Sequence, residues 1–313
     1  MEVTTTCHFL IMLQKNVPLK KYTSLKIGGP AKYFFEAKNL KNLVEAIKET
    51  KRKKIPIFVF GGGTKLLVSD KGFRGLAIKI KSSKFEINQN KIISEAGVNL
   101  GQLVAASIKN GLTGLEWAIK IPGTIGGAIH GNSGAFGSSI SKTAKNITAL
   151  NPDTLKIKKY SNKQCQFGYR ESIFKKNKDI ILSVELQLEK GNAKKSFEII
   201  EEYSKRRQER IPTHPSSGSI FKNIKFENLS KKNQKLIPEE KIKGGMVPAG
   251  YLIEKCGLKG KRSGGAKISE KQANIIVNFN HAKEKNISRL INLVKKQVKR
   301  KFGINLKEEI IYI

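Results

Sequence analysis

Ile55-Pro56-Ile57-Phe58-Val59-Phe60-Gly61-Gly62-Gly63-Thr64-Lys65-Leu66-Leu67 opens as an apolar run and breaks abruptly into three glycines. A short, wholly apolar run bounded by turn residues predicts a buried strand. Upstream, Asn39 can cap a helix whose apolar stripe, Leu40, Leu43, Val44 and Ile47, recurs at i, i+3, i+4 and i+7. Helix, strand and glycine turn in this order are the grammar of a mixed α and β chain. The turn exposes main-chain amides that could cradle a phosphate. Its spacing is neither the Walker G-x-x-x-x-G-K-[ST] nor the dinucleotide G-x-G-x-x-G, so the turn alone names no cofactor.

A second glycine segment lies downstream. Residues 111–137, GLTGLEWAIKIPGTIGGAIHGNSGAFG, hold eight glycines and only two charged side chains, Glu116 and Lys120. Elsewhere the chain is saturated with lysine, so a stretch that excludes it packs something uncharged or lets backbone approach at close range. A ligand cradle and a tight structural loop both satisfy that pattern.

Farther on, residues 147–150 and 155–160 flank the turn Asn151-Pro152-Asp153-Thr154 and predict a hairpin. Residues 180–188 alternate like a half-buried strand. Between them, Tyr169-Arg170-Glu171-Ser172 places an arginine where lysine is the common base. An arginine fork can hold a carboxylate through two parallel bonds; a structural ion pair with Glu171 or a neighbour is the alternative. A basic helix over residues 193–209 is expected to turn Phe197, Ile200 and Tyr203 inward, and Pro212 and Pro215 then mark a domain boundary. The last helix carries Ile287, Leu290, Ile291, Val294 and Val298 on one face and stops near Gly303. A strand over residues 309–313 ends the chain.

Composition bounds the classes. The 313 residues, 39% hydrophobic, exclude a disordered or collagenous chain and leave room for about two domains at roughly 150 residues each. No run approaches the ~18 apolar residues of a membrane span; residues 9–13 are far too short. Three scattered cysteines, Cys7, Cys165 and Cys256, suggest neither a disulfide framework nor a zinc site, and no metal is expected. The formal charge is +35, yet only nine of the sixty basic residues are arginine and the lysines are dispersed with little aromatic interleaving. A nucleic-acid footprint is clustered, so no specific nucleic-acid partner is expected.

The order of these motifs is more specific than any one of them. Thr23-Ser24-Leu25-Lys26-Ile27-Gly28-Gly29-Pro30-Ala31, the loop over residues 61–70, Ile121-Pro122-Gly123-Thr124-Ile125-Gly126-Gly127 through Gly137, Tyr169-Arg170-Glu171-Ser172, Gly218-Ser219-Ile220-Phe221-Lys222-Asn223, residues 249–260 and Glu309 follow one another over nearly the whole chain. This succession resembles the UDP-N-acetylenolpyruvoylglucosamine reductase family, flavoenzymes that complete UDP-N-acetylmuramate for bacterial peptidoglycan.

The resemblance implies an α+β fold: a two-subdomain FAD-binding region of the vanillyl-alcohol-oxidase/PCMH type, followed by an α+β substrate-binding domain. The corresponding divisions are an unmatched extension over 1–16, subdomains over 17–81 and 82–210, and a C-terminal domain over 211–313. It implies bound FAD, NADPH as co-substrate, UDP-N-acetylglucosamine enolpyruvate as substrate, and a monomer in the cytoplasm. It assigns Arg170 and Glu309 to the enolpyruvyl group and Ser219 to proton donation. Cofactor contacts carry over to Phe60, Gly61, Gly62, Gly63, Thr64, Lys65, Leu66, Leu67, Pro122, Gly123, Thr124, Gly126, Gly127, Asn132, Gly134 and Ala135. Substrate contacts carry over to Tyr169, Arg210, Lys222 and Asn223. The chain departs from the family pattern at Lys26 (usually Arg), Thr64-Lys65 (usually Ser-Asn), Ile224 (usually Pro) and Gln272 (usually His). Lys65 is expected beside phosphate, and the direct run from Phe174 into the 180s matches the subtype without a mobile tyrosine loop. Another FAD oxidoreductase of the same cofactor-binding fold would keep the glycine segments without needing Ser219, Arg170 and Glu309 together. A basic nucleic-acid-binding protein is the rival from a different class.

Overall fold

The computed structural model describes residues 12–313. Cys7, His8 and the start of the apolar run, Phe9, Leu10 and Ile11, lie outside the described residues, as does most of the segment 1–16. Gln14–Pro18 forms a strand antiparallel to Pro30–Ala37, so the last residues of the segment set apart as an unmatched extension over 1–16 join a sheet. Gln14, Lys15 and Asn16 are polar and exposed, so nothing in their pattern announces an edge strand.

That pair belongs to a four-stranded sheet in the order Gln14–Pro18, Pro30–Ala37, Phe73–Ile80, Ile57–Phe60, the last three mutually parallel. Parallel neighbours need a crossover, and helix Leu40–Lys53 is part of it. Asn39 caps that helix, its side chain accepting from the Asn42 N–H at 2.8 Å. Leu43, Ala46, Ile47 and Thr50 form the buried face, while Leu40, in the first turn, stays 39% exposed.

An antiparallel five-stranded sheet follows, ordered Ile157–Ser161, Ala144–Leu150, Ile180–Gln187, Lys91–Glu95, Phe85–Asn88. The expected hairpin is there, its first strand beginning at Ala144. Ile180–Gln187 lies at the centre, and its buried Ile180, Ile181, Val184 and Leu186 join a core shared with helix Leu100–Lys109 and the short helix Ile125–His130. The long helix Ala193–Arg210 corrects one expectation: Phe197 points outward, 58% exposed. Ser196 is the buried residue instead, donating its hydroxyl to Glu116 Oε1 at 2.7 Å. That bond sets the inward row at 196, 200, 203 and 207, one helical step away from 197.

The third unit is a sheet ordered Ser216–Ser219, Ile275–Asn278, Ala266–Ile268, Arg262–Ser263, packed with helices Ala249–Lys255 and Glu284–Phe302. Ile287, Leu290, Ile291, Val294 and Val298 are all buried, and Gly303 ends the helix at φ 67°. The chain then returns to its beginning. The final strand is confined to Ile311–Tyr312 and runs parallel to Leu66–Leu67. The Ile311 N–H donates to the Lys65 carbonyl at 2.8 Å, and the Glu309 N–H to that of Ile220 at 2.7 Å. Glu309 is thereby held between the first glycine loop and the strand that carries Ser219.

Candidate active site

The two glycine segments meet back to back. A Cβ on Gly61 would fall 2.3 Å from Thr124 Oγ1, one on Gly62 2.7 Å from Gly123 Cα, and one on Gly63 2.0 Å from the Tyr22 carbonyl oxygen. Any side chain there would drive the loops apart. Packing does not account for Gly127 or Gly137: a Cβ on Gly127 would have nothing nearer than 3.6 Å, and one on Gly137 nothing within 4 Å. The missing side chains at those two positions leave an open strip of backbone, which suits a planar ligand such as a flavin. Phe60, Leu66 and Leu67 turn their side chains into the core and can offer only main chain, and Gly126 is closed off by Ala96. Gly61, Gly62, Thr64, Pro122, Gly123, Thr124 and Ala135 remain accessible on the cleft-forming segments.

Asn132 and Gly134 do something the sequence does not reveal. Their carbonyls accept from the two terminal nitrogens of Arg170, at 3.4 and 2.8 Å, while Arg170 Nε donates to Glu309 Oε1 at 3.3 Å. Asn132 is itself fixed: its Nδ2 donates to the Gly168 carbonyl at 2.8 Å and its Oδ1 accepts from the Ser141 N–H at 3.3 Å. Arg170 adopts φ 57°, a left-handed conformation that a non-glycine residue holds only when its surroundings insist. Three of its five donors are occupied, leaving one hydrogen on each terminal nitrogen. Arg170 does not pair with Glu171, which pairs with Lys222; the ion pair of Arg170 is with Glu309.

Lys65 is the largest departure from expectation. Its Nζ donates to the Ser219 carbonyl at 2.6 Å and meets Glu309 Oε2 at 3.2 Å. Burial pushes its pKa down, against the opposing pull of Glu309. Ser219 ends the strand Ser216–Ser219, just after Gly218 at φ 67°. Its hydroxyl makes no hydrogen bond among the described residues.

Tyr169 accepts from the Asn223 N–H at 3.2 Å and carries the Arg170 guanidinium 5.4 Å from its ring centre. Asn223 uses its side-chain oxygen structurally, accepting from the Ala249 N–H at 3.1 Å. Arg210 stands exposed at the end of its helix. The arginine that faces inward is Arg207, which sequence reasoning missed. It lies 5.1 Å from the Phe136 ring centre, and Phe136 stacks on Tyr203 at 3.9 Å. Arg207 donates to the Trp117 carbonyl at 3.3 Å, yet its buried Nε has no partner. Burial, then the nearby Arg170, lowers its pKa. The signal was available in the helix: 207 continues the row 196, 200, 203. Lys175, whose Nζ donates to the Arg170 carbonyl at 2.7 Å, was also missed. Gln272, where the family usually carries His, sits against Gly250, whose Cβ would fall 2.4 Å from its Oε1.

Five cations, Lys65, Arg170, Lys175, Arg207 and Lys222, thus surround two carboxylates, Glu171 and Glu309. A cleft with that excess favours a polyanionic ligand.

Residues 31–153 match the model of the FAD binding domain, and residues 210–313 match that of the UDP-N-acetylenolpyruvoylglucosamine reductase, C-terminal domain. The chain is 35% identical to the UDP-N-acetylenolpyruvoylglucosamine reductase of Solibacter usitatus, over 97% of each chain. It is 38% identical to that of Caldanaerobacter subterraneus subsp. tengcongensis, over 95% of this chain and 92% of the relative. The crystal structure of UDP-N-acetylenolpyruvylglucosamine reductase from Thermus caldophilus superposes with a TM-score of 0.76 at 26% identity, covering 96% of this chain and 99% of that one.

Proposed function

The chain belongs to the UDP-N-acetylenolpyruvoylglucosamine reductase family, and on that footing we propose that the cleft between Arg170, Ser219 and Glu309 is where an enolpyruvyl ether is reduced. The protein is an FAD-containing oxidoreductase that uses NADPH to convert UDP-N-acetylglucosamine enolpyruvate to UDP-N-acetylmuramate, a step of peptidoglycan precursor synthesis. The single observation that carries the site is the meeting of residues 170, 219 and 309, remote in sequence, through the 3.3 Å Arg170 to Glu309 bond and the two bonds of Lys65.

Loops 60–67 and 122–135 would hold FAD, with Gly127 and Gly137 leaving the strip open. Bound there, FAD would supply the hydride chemistry linking NADPH to the enolpyruvyl β-carbon. The remaining work falls to this chain. Negative charge builds on the substrate carboxylate and α-carbon, and the two unassigned hydrogens of the Arg170 fork are the donors for it. Glu309 and the carbonyls of Asn132 and Gly134 keep the guanidinium from turning away. Ser219 Oγ gives its proton to the α-carbon, which is basic enough at that moment to take it from an ordinary hydroxyl. Because both Glu309 oxygens already accept from cations, Glu309 orients rather than protonates. Tyr169, Lys222 and Arg207 line the approach for the nucleotide diphosphate. Arg207 takes the place expected of Arg210.

The division into subdomains over 17–81 and 82–210 and a substrate domain over 211–313 belongs to the same proposal, with the amendment that the last residues return to the first loop. So do action as a monomer and a cytoplasmic location; among the described residues no helix is long and apolar enough to cross a membrane. The test is turnover. The purified protein should be yellow and oxidise NADPH only when the enolpyruvyl substrate is present, and mass spectrometry should find the substrate heavier by one hydride and one proton. NADPH oxidation indifferent to that substrate would reject the reading.

A further inference from the structure

Lys65 stands where the family usually places asparagine, and its side chain reaches 154 residues along the sequence to the Ser219 carbonyl. We propose that Lys65 is a positioning residue of the reduction site, fixing the Glu309 carboxylate and the Ser219 main chain in one arrangement through a single ammonium. The inference rests on the proposed reduction.

Four observations carry it. The ammonium bonds Ser219 O at 2.6 Å and Glu309 Oε2 at 3.2 Å, the two residues proposed to move the proton and to hold Arg170. Glu309 is then gripped from both sides, since Arg170 Nε takes its other oxygen at 3.3 Å. The Lys65 carbonyl also receives the Ile311 N–H at 2.8 Å, so one residue ties the C-terminal segment by main chain and side chain together. An asparagine, two bonds shorter, reaches neither partner. Finally, the lysine side chain as a whole remains 35% exposed, while its ammonium end is desolvated between its two partners. The charge is therefore placed beside the proposed reacting groups.

Fixing Ser219 by its carbonyl restricts rotation of the main chain that aims the hydroxyl. Fixing Glu309 by both oxygens keeps the Arg170 fork in one plane. Without either bond a donor drifts, and catalytic donors tolerate little drift. The groups facing the ammonium are Glu309 from the C-terminal segment, the Ser219 carbonyl from its strand and, more distantly, Arg170. A lysine whose pKa is pushed down by burial loses its proton at lower pH than a free one, and with it the grip on Glu309.

The experiment uses the prereduced holoenzyme, mixed anaerobically with UDP-N-acetylglucosamine enolpyruvate from about pH 7 to about pH 10, following flavin reoxidation. The parent should slow on the alkaline side with a midpoint below the ordinary lysine value of about 10.4. Lys65→Met should reoxidise about tenfold more slowly and lose that alkaline fall. Lys65→Arg should restore most of the rate and stay level, because a guanidinium does not titrate there. Rates are compared per bound flavin, read from the visible spectrum of each variant. Lys65→Met reoxidising at the parental rate, or Lys65→Arg retaining the parental alkaline fall, overturns the proposal; the second result decides even if the methionine variant does not fold. A parent that is not reoxidised by this substrate at all refutes the reduction itself, and the inference with it.

Discussion

Replacing Arg170 with lysine keeps one positive charge and removes a three-point attachment. Arg170 donates through Nε to Glu309 at 3.3 Å and through its terminal nitrogens to the carbonyls of Asn132 and Gly134 at 3.4 and 2.8 Å. The hydrogens left over, one on each terminal nitrogen, form the fork offered to the substrate. A lysine ammonium is a single point; satisfying Glu309 takes it away from the substrate, and satisfying the substrate releases Glu309. The loss resembles that of one oxyanion donor, about 10²-fold in rate or about 2.7 kcal/mol of barrier. The fold should persist, because lysine meets the left-handed φ of 57° no worse than arginine does, and water can reach the released Gly134 carbonyl. Rapid mixing separates the half-reactions: flavin reduction by NADPH should proceed at the parental rate while reoxidation by the enolpyruvyl substrate drops. Parental reoxidation by Arg170→Lys would refute the reasoning and return Arg170 to a structural tie between the loops.

Ser219→Ala should leave reduction by NADPH intact and slow reoxidation by about 10²–10⁴-fold, with Ser219→Cys recovering part of the loss because a thiol carries a transferable proton; parental reoxidation by the alanine variant would pass the role to a water. Arg207→Gln should raise the half-saturating substrate concentration about tenfold and Arg210→Gln less than about twofold, measured by steady-state kinetics, since only the former faces Arg170. Equal effects would remove Arg207 from the cleft. His130, largely buried and near Lys175, has its pKa lowered to about 4 by burial and that charge. Its folded pKa lies below the unfolded value, so the stability it contributes is complete above about pH 6.5 and is lost as pH falls toward about 4, by at most about 3 kcal/mol. Melting curves over that window should show a decline that His130→Gln lacks; identical declines would count against it.

What the sequence made legible was local. The helix after Asn39, the hairpin around Asn151 and the last helix ending at Gly303 announce themselves because cap, turn and period all sit within a few residues. Phe197 misled because apolar spacing at 197, 200 and 203 fits a helical face, while the true face was set by Ser196 reaching a buried carboxylate 80 residues earlier. The edge strand Gln14–Pro18 was invisible because its pattern is polar. In the candidate site, the motif order pointed to Arg170, Ser219 and Glu309, but their mutual arrangement depends on the C-terminal strand pairing with Leu66–Leu67. No periodicity encodes that pairing. The destination of Lys65 follows from it, which is why a lysine beside three glycines suggested a phosphate and the fold delivered a carboxylate.

The most direct measurement is the visible spectrum of the dithionite-reduced protein before and after UDP-N-acetylglucosamine enolpyruvate is added without oxygen. The proposed chemistry requires the oxidised flavin band to return in one equivalent per substrate reduced, with UDP-N-acetylglucosamine itself giving no change. A spectrum that stays bleached with the enolpyruvyl compound, or recovers equally with the plain nucleotide sugar, would contradict hydride transfer at this site.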